Sequence, residues 1–332
     1  YELADKVKRL YYRKILAPAL RSFQKTAERG KWDKLADEII EFSKKLRVEE
    51  TTSHISLADV FGRLFEPKDI YPTQWSKLNE ILLGGFRAGD LYLLCARPKM
   101  GKSTVLLFWA IHFARKGHRV LFISPEMDAE DIALRIAVVE YMPSLEQYKR
   151  WYQGKFSKDE QKEILSLEEK YKDTLHTVPR TDTFSLSHIL DVVRKFEPEI
   201  IMLDGVGWVD PERKQREFWL TGLELARELL RFTKTEKKVV IASLHFNRFV
   251  LSDAFRADLV TLTQSDEWGR APDVILGLFR PPVLRQENKA LIMLIAGRML
   301  PTEREYFVFN FYQDFKEAEV PPDIIPLIEQ SD

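Results

Sequence analysis

Apolar residues in this chain follow two rhythms, and the change falls near residue 67. Over residues 1–47 they recur at helical spacing. Leu10, Ile15, Leu16, Leu20 and Phe23 lie near one face of a first helix, and Leu35, Ile39, Ile40 and Leu46 near one face of a second, with Gly30 between them. This predicts a helical hairpin, with Pro18 kinking or locally disturbing its first helix. Such a hairpin has little core of its own and must pack on something further. Residues 48–55 are a linker. Ser56 is placed to cap a short helix whose apolar positions are Leu57, Val60, Phe61, Leu64 and Phe65. That helix either packs on its own domain or docks on a neighbouring subunit.

From about residue 67 short apolar runs alternate with helical patterns. The runs predict strands at 91–95, 119–124, 174–178, 199–204, 238–243, 273–279, 290–296 and 304–311, and residues 128–170 read as helices. The alternation predicts an α/β domain with a mainly parallel central sheet. Residues 1–48 are therefore read as a hairpin, 49–66 as a linker and docking helix, and 67–332 as one large α/β domain.

Composition narrows this only slightly. The chain has 332 residues, 45% of them hydrophobic, enough for one such domain and an appendage. Lys plus Arg and Asp plus Glu both number 51, so the net charge is zero. That argues against a generally cationic surface, though not against a local cationic groove. The single cysteine, Cys95, falls inside a predicted strand, which leaves no disulfide or zinc framework within the chain. The longest apolar stretch, Val105 to Ala114, is too short to span a bilayer. No signal peptide is visible, so a cytoplasmic location is expected. The first residue is Tyr1, and a longer N-terminal part is expected to precede it.

The candidate chemistry begins at residue 91. The strand-like run Leu91-Tyr92-Leu93-Leu94-Cys95 leads into Arg97-Pro98-Lys99-Met100-Gly101-Lys102-Ser103-Thr104, and an apolar helix follows at once. This is G-x-x-x-x-G-K-[ST] with Ala96 at the first glycine position. Strand, loop and helix N-terminus in this order read as a phosphate site, the alternative being a lysine in an ordinary strand-to-helix turn: the helix start offers free N–H groups, Lys102 can reach the β- and γ-phosphates, and Ser103 can supply a hydroxyl to Mg²⁺. Ligands in such sheets bind beyond the carboxyl ends of the strands. Glu126 follows one strand and either orients the attacking water or serves the helix behind it. It would lie near the γ-phosphate if its strand adjoins the first. Asp204 ends another strand and would hold Mg²⁺ through a water or polarise the site. His245 or Asn247, after a third, could sense the γ-phosphate. Arg298 follows a late strand and is either an arginine finger acting on the next subunit or a surface arginine in a turn.

In this order the motifs resemble the C-terminal ATPase domain of DnaB-type replicative helicases, ring-forming members of the RecA-like superfamily. Residues 82–91 match the family's approach to the first strand, and residues 96–102 match its phosphate loop, including the alanine. Ser124-Pro125-Glu126-Met127, Leu203-Asp204 and Phe246-Asn247-Arg248 correspond to its later motifs. Tyr11-Tyr12-Arg13-Lys14 and residues 55–60 are similar to its N-terminal hairpin and linker helix, while the globular head of the N-terminal domain has no counterpart in this chain. The resemblance implies ATP and Mg²⁺ as cofactors, a homohexameric ring on single-stranded DNA, 5′ to 3′ movement, and primase and loader as partners. It departs from the family at His245, where Gln is usual, at Ala296, where a Lys precedes the finger, and at 263–266, where the DNA loop normally carries Arg. These departures suggest a phage-encoded or otherwise specialised member. The candidate DNA contacts are Arg213, Lys214 and Arg216 in one loop, and Arg248, Arg256, Gln264 and Ser265 in another. Trp208, Phe218 and Trp219 read as core rather than base-stacking residues. The alternatives are a filament-forming RecA-family repair ATPase and an ATP-binding scaffold or loader that does not unwind.

Overall fold

The computed structural model describes residues 17–49, 57, 61, 64–65, 67–181, 184–209, 218–246, 267–300, 305–312 and 314–329. The chain divides into two units, Tyr1–Pro67 and Lys68–Asp332. In the first unit, α1 (Ala17–Glu28) and α2 (Trp32–Glu49) flank Gly30, whose left-handed φ of 65° makes the turn. Phe23 meets Phe42 edge-on at 5.5 Å, and the Thr26 hydroxyl donates to Glu38 at 3.0 Å. Two helices cannot enclose a full apolar stripe, so Leu20, Ile39 and Ile40 remain exposed. Leu10, Ile15 and Leu16, and the residues before Ala17 where a kink at Pro18 would show, lie outside the described residues. Leu57, Phe61 and Leu64 are helical and exposed, and Phe65 beside them is exposed too.

The second unit opens with β1 (Ile70–Tyr71), α3 (Ser76–Ile81) and β2 (Phe86–Arg87), with β1 and β2 pairing antiparallel. Then come β3 (Leu91–Ala96), α4 (Lys102–Arg115), β4 (Val120–Ile123), α5 (Ala129–Tyr141), α6 (Leu145–Tyr152), α7 (Lys158–Tyr171) and β5 (Leu175–Val178). After these run α8 (Leu186–Phe196), β6 (Ile200–Leu203), α9 (Phe218–Glu236), β7 (Val239–His245), α10 (Glu267–Arg270) and β8 (Val274–Phe279). The unit ends with α11 (Pro282–Gln286), β9 (Lys289–Gly297), β10 (Tyr306–Asn310), β11 (Glu317–Ala318) and α12 (Ile325–Glu329). Among the described residues the main sheet has nine strands in the order β11-β10-β9-β8-β3-β7-β6-β4-β5.

The strands from β8 to β5 in that order are parallel, as the alternation predicts. The last two predicted strands, β9 and β10, instead run antiparallel, with β11 beyond them. The link from β8 to β9 holds only the short α11, too little chain for a crossover helix, so the strand must turn back. Neither short pair, β1–β2 nor β11, has a run of apolar residues long enough to announce it. Within β3 every residue is buried, and alternate residues face different cores. Tyr92, Leu94 and Ala96 join Trp75, Trp109 and Phe113 on one face, while Leu91, Leu93 and Cys95 join Leu229, Trp268 and Ile275 on the other. Among the described residues no helix is long and apolar enough to cross a membrane.

The inner end of α4 carries a pH-sensitive group. His112 Nε2 lies 3.1 Å from the Pro72 carbonyl, and its pKa is lowered from 6.5 to about 4, chiefly by burial and then by Lys116, Arg115 and His118, against the Pro72 contact. The folded protein thus holds this imidazole neutral, while the unfolded chain protonates it near 6.5. Its contribution to stability is full above about 6.5 and is lost as pH falls toward about 4. The urea midpoint is expected to drop across that window, and His112→Gln should flatten part of the drop.

Candidate nucleotide site

The strand β3 feeds the phosphate loop directly. Ala96 is its last residue and pairs with His245 in register, so this position needs no glycine freedom, and alanine fits inside a regular buried strand. Lys99 (φ 64°) and Gly101 (φ 97°) are both left-handed and wind the loop into α4. The Val105 N–H donates to the Gly101 carbonyl at 3.0 Å. The amides of Lys102, Ser103 and Thr104 therefore come ahead of the helical ladder, where the helix dipole favours an anion. Gly101 is required for a second reason: a Cβ there would lie 2.2 Å from Phe311 Cζ. In the loop Pro98 and Lys99 are exposed, Arg97 is half-buried, and the buried Met100 accepts from Arg285 at 3.0 Å.

The sheet order brings the strand-end residues into one row. Moving across β3, β7, β6 and β4, the ends carry the loop with Lys102, then His245, then Asp204, then Glu126. Lys102 Nζ lies 2.9 Å from His245 Nδ1. The Ser243 hydroxyl donates to Asp204 Oδ1 at 3.0 Å and accepts from the Gly205 N–H at 2.8 Å. Asp204 is only 2% exposed, and its Oδ2 is buried with no hydrogen-bond partner. Burial raises the Asp204 pKa, against the Ser103 and Ser243 hydroxyls and the Lys102 and Arg135 charges. Burial likewise lowers Lys102, against the Asp204 and Glu126 carboxylates. His245 is lowered by burial, and then by Lys102. The site thus holds a buried cation and a buried carboxylate beside free helix amides. This suits an anionic ligand carrying a divalent cation, with the orphaned Asp204 oxygen and the Ser103 hydroxyl as the cation's protein partners.

The condition placed on Glu126 is not met as stated. Its strand, β4, does not adjoin β3, because β7 and β6 lie between them. Glu126 still reaches the site because the residue after Asp204 has no side chain. Gly205 is left-handed (φ 88°), and a Cβ there would lie 2.6 Å from Glu126 Oε1. Glu126 remains open to solvent. Partial desolvation, and next the Asp204 carboxylate, raise its pKa, while Lys102 and the Trp208 indole act the other way.

Trp208 is a correction to the reading of it as core, for it is 64% exposed. It stands on a single 3₁₀ turn, Val206–Trp208, too short to fold a side chain of that size beneath the sheet. Phe218 and Trp219 are helical, and their side chains lie outside the described set. Arg298 follows β9 at the far end of the sheet. Its guanidinium donates to the Arg270 carbonyl at 2.6 Å and lies 3.6 Å from Asp273 Oδ1. Asp273 in turn accepts from the Leu91 N–H, at the start of β3, so Arg298 stands the length of a six-residue strand, about 20 Å, from its own phosphate loop. Asn247, Arg213, Lys214, Arg216, Arg248, Arg256, Gln264 and Ser265 lie outside the described residues.

Several neighbours of the loop escaped the sequence. Tyr312 OH lies 3.2 Å from Thr104 Oγ1, and the Arg280 guanidinium sits 4.1 Å over the Phe311 ring and 5.9 Å from that of Tyr312. Arg280 directly follows β8, so the strand-end rule that selected Asp204 also reaches it.

The fold and site together define a RecA-like phosphate-loop domain. A sequence model of the DnaB-like helicase C terminal domain matches residues 71–316, and the chain belongs to that family. It is 22% identical over 270 residues to the replicative DNA helicase DnaB of Geobacillus stearothermophilus, covering 76% of this chain and 59% of that protein. It is also 46% identical over 65 residues to the DNA repair protein RadA of Mycolicibacterium smegmatis, covering 20% of this chain and 14% of that one. The chain thus spans less than two thirds of these curated relatives. Among solved structures, a DnaB-like replicative helicase studied with primase superposes with a TM-score of 0.72 at 16% identity, covering 96% of this chain and 78% of that one. A second solved structure, an isolated ATPase domain, gives 0.65 at 18% identity, covering 86% and 98%.

Gly205→Ala tests how Glu126 is seated. Its Cβ would displace the carboxylate without touching the phosphate loop. On the expectation that Glu126 is the base, nucleotide affinity should stay within about twofold while turnover falls about 10²-fold, the lower range for losing a positioned base, in a steady-state ATPase assay.

Proposed function

We propose that this domain binds ATP with Mg²⁺ and hydrolyses it to drive a ring of identical subunits along single-stranded DNA, unwinding duplex as a replicative helicase. The observation that supports this is the row of Lys102, His245, Asp204 and Glu126 across adjacent strand ends, facing one helix N-terminus. Residues 97–104 would cradle the phosphates with backbone amides, and Lys102 would exchange its His245 contact for a phosphate oxygen. Ser103 and Asp204 would hold the Mg²⁺, which neutralises charge on the phosphates when bound. Glu126, whose raised pKa makes it a better proton acceptor than an ordinary carboxylate, would take the proton of the attacking water. His245, released by Lys102, would face the γ-phosphate and report its loss. Tyr312 and Arg280 offer a flat face and a cation for the base.

By likeness to the family, residues 1–48 serve as a hairpin closing an N-terminal domain and 49–66 as a linker. The exposed Leu57, Phe61 and Leu64 would dock on a neighbouring copy. Movement would be 5′ to 3′, and primase and a loader would be the partners, within a cytoplasmic replication complex. Loops 210–217 and 247–266 would carry the DNA, through Arg213, Lys214, Arg216, Arg248, Arg256, Gln264 and Ser265. The matches to RadA favour a second reading, a repair ATPase on filaments. Electron microscopy with nucleotide separates rings from filaments, and strand displacement separates either from a scaffold.

Lys102→Ala should abolish ATP hydrolysis and strand displacement together, and near-parental ATPase in that variant would end this reading. Arg298 would act in trans, leaving its Arg270 and Asp273 contacts to reach a neighbour's nucleotide. Arg298→Ala is then expected to bind ATP normally but hydrolyse it ~10³-fold more slowly or worse. An unchanged rate would leave Arg298 as a brace on the end of α10.

A further inference from the structure

Trp208 combines two properties that a purely structural tryptophan would not need. It is 64% exposed, in a unit that buries Trp75, Trp109 and Trp268 completely or almost so. The atom next to its indole nitrogen, Cδ1, also borders the space that holds the Glu126 carboxylate, and the indole acts to lower that carboxyl's pKa. Both side chains crowd the same point: a Cβ on Gly205 would lie 2.6 Å from Glu126 Oε1 and 3.1 Å from Trp208 Cδ1. The carboxylate is therefore bounded by the Gly205 backbone and the edge of the indole.

The turn that carries the ring is well anchored. The Trp208 N–H donates to the Gly205 carbonyl at 3.0 Å and the Val209 N–H to the Val206 carbonyl at 3.2 Å. Val206 and Val209 are both buried in the core that includes Leu203. The tryptophan backbone is thus tied to the same strand end as Asp204, while its ring stays in solvent. That exposure rules out burial as the ring's role, and its edge is turned to the carboxylate.

The chemistry of the donor suits a base. A carboxylate that accepts a proton must keep its position while remaining proton-hungry. A lysine or arginine would hold it but pair with the charge and weaken it as a base. A hydroxyl would leave it free to rotate. An indole N–H is a donor only, carries no charge and sits on a rigid ring. It can fix one carboxylate oxygen and leave the other for water.

We propose that Trp208 is a positioning residue for Glu126, its indole N–H holding one carboxylate oxygen so that the other faces the water that attacks the nucleotide. The proposal rests on the reading of Glu126 as the base.

The test is a double-mutant cycle in the full chain, reading kcat, the KM for ATP and nucleotide affinity. Trp208→Phe keeps an aromatic ring and removes the N–H, and at an exposed position it should fold normally. It should lower kcat about tenfold, the effect of one hydrogen bond to a charged group, with KM and affinity within about twofold. In a Glu126→Gln background the same substitution should change the residual single-turnover rate by less than about twofold, because the group it positions no longer acts as a base. An unchanged kcat in Trp208→Phe, or a change confined to KM, overturns the proposal. So does an equal tenfold loss in the Glu126→Gln background, which would place the effect elsewhere. If Glu126→Gln alone turns over at the parental rate, the assignment of the base fails first, and the role of Trp208 falls with it.

Discussion

Asp204 is the group around which the site is arranged. A carboxylate that is 2% exposed with one oxygen unpartnered is costly to keep charged, and its surroundings address that cost. Ser243 donates to its other oxygen, and the Ser103 hydroxyl and the Lys102 charge both act to favour its ionised form. These partners come from separate stretches of chain. They meet only because β7 lies between β3 and β6, bringing Ser243 and His245 between the phosphate loop and the acid. What remains unsatisfied, one carboxylate oxygen and the first amides of α4, is complementary to a cation and an anion in that order. That pair of deficits suits the metal-bound phosphate proposed for the site.

The two ends of the sheet do different work. At the amino ends of the strands, Asp273 accepts from the Leu91 N–H and pairs with Lys234, which also reaches Asp90, while Arg87 pairs with Asp90. This network ties β3, β8 and α9 together where no ligand is needed. At the carboxyl ends Asp204 keeps one oxygen without a partner, which costs stability where binding is proposed. Arg298 belongs by contact to the first end, through Asp273. The far position of its guanidinium keeps it away from its own phosphate loop, so the finger role proposed for it requires a nucleotide held by another copy of the chain.

Glycine at 205 shows how packing and chemistry meet. Its left-handed backbone turns the chain after β6, and its missing side chain opens the space in which Glu126 lies. Phe311 makes the same demand on Gly101, at the phosphate loop. The two glycines look alike in sequence as loop residues. Their partners, a carboxylate and a phenyl ring, come from segments far from them along the chain.

Local patterns along the chain were enough to determine the eight main strands, the helical middle, the phosphate loop and the residues at the strand ends. Periodicity and the strand–loop–helix order are properties of consecutive residues, and burial on both faces leaves unbroken apolar runs that are easy to read. Neighbour relations were not legible. That β4 stands beyond β7 and β6 from β3, that β9 and β10 turn back, that Trp208 is exposed beside Glu126, and that Tyr312, Phe311 and Arg280 surround the loop all depend on which strands pair. Pairing is decided by the fit of whole faces, helices included, and no short window of sequence carries that information. The strand-end residues proposed to carry the chemistry could therefore be named from the chain alone, while the order in which they stand was decided only by the sheet.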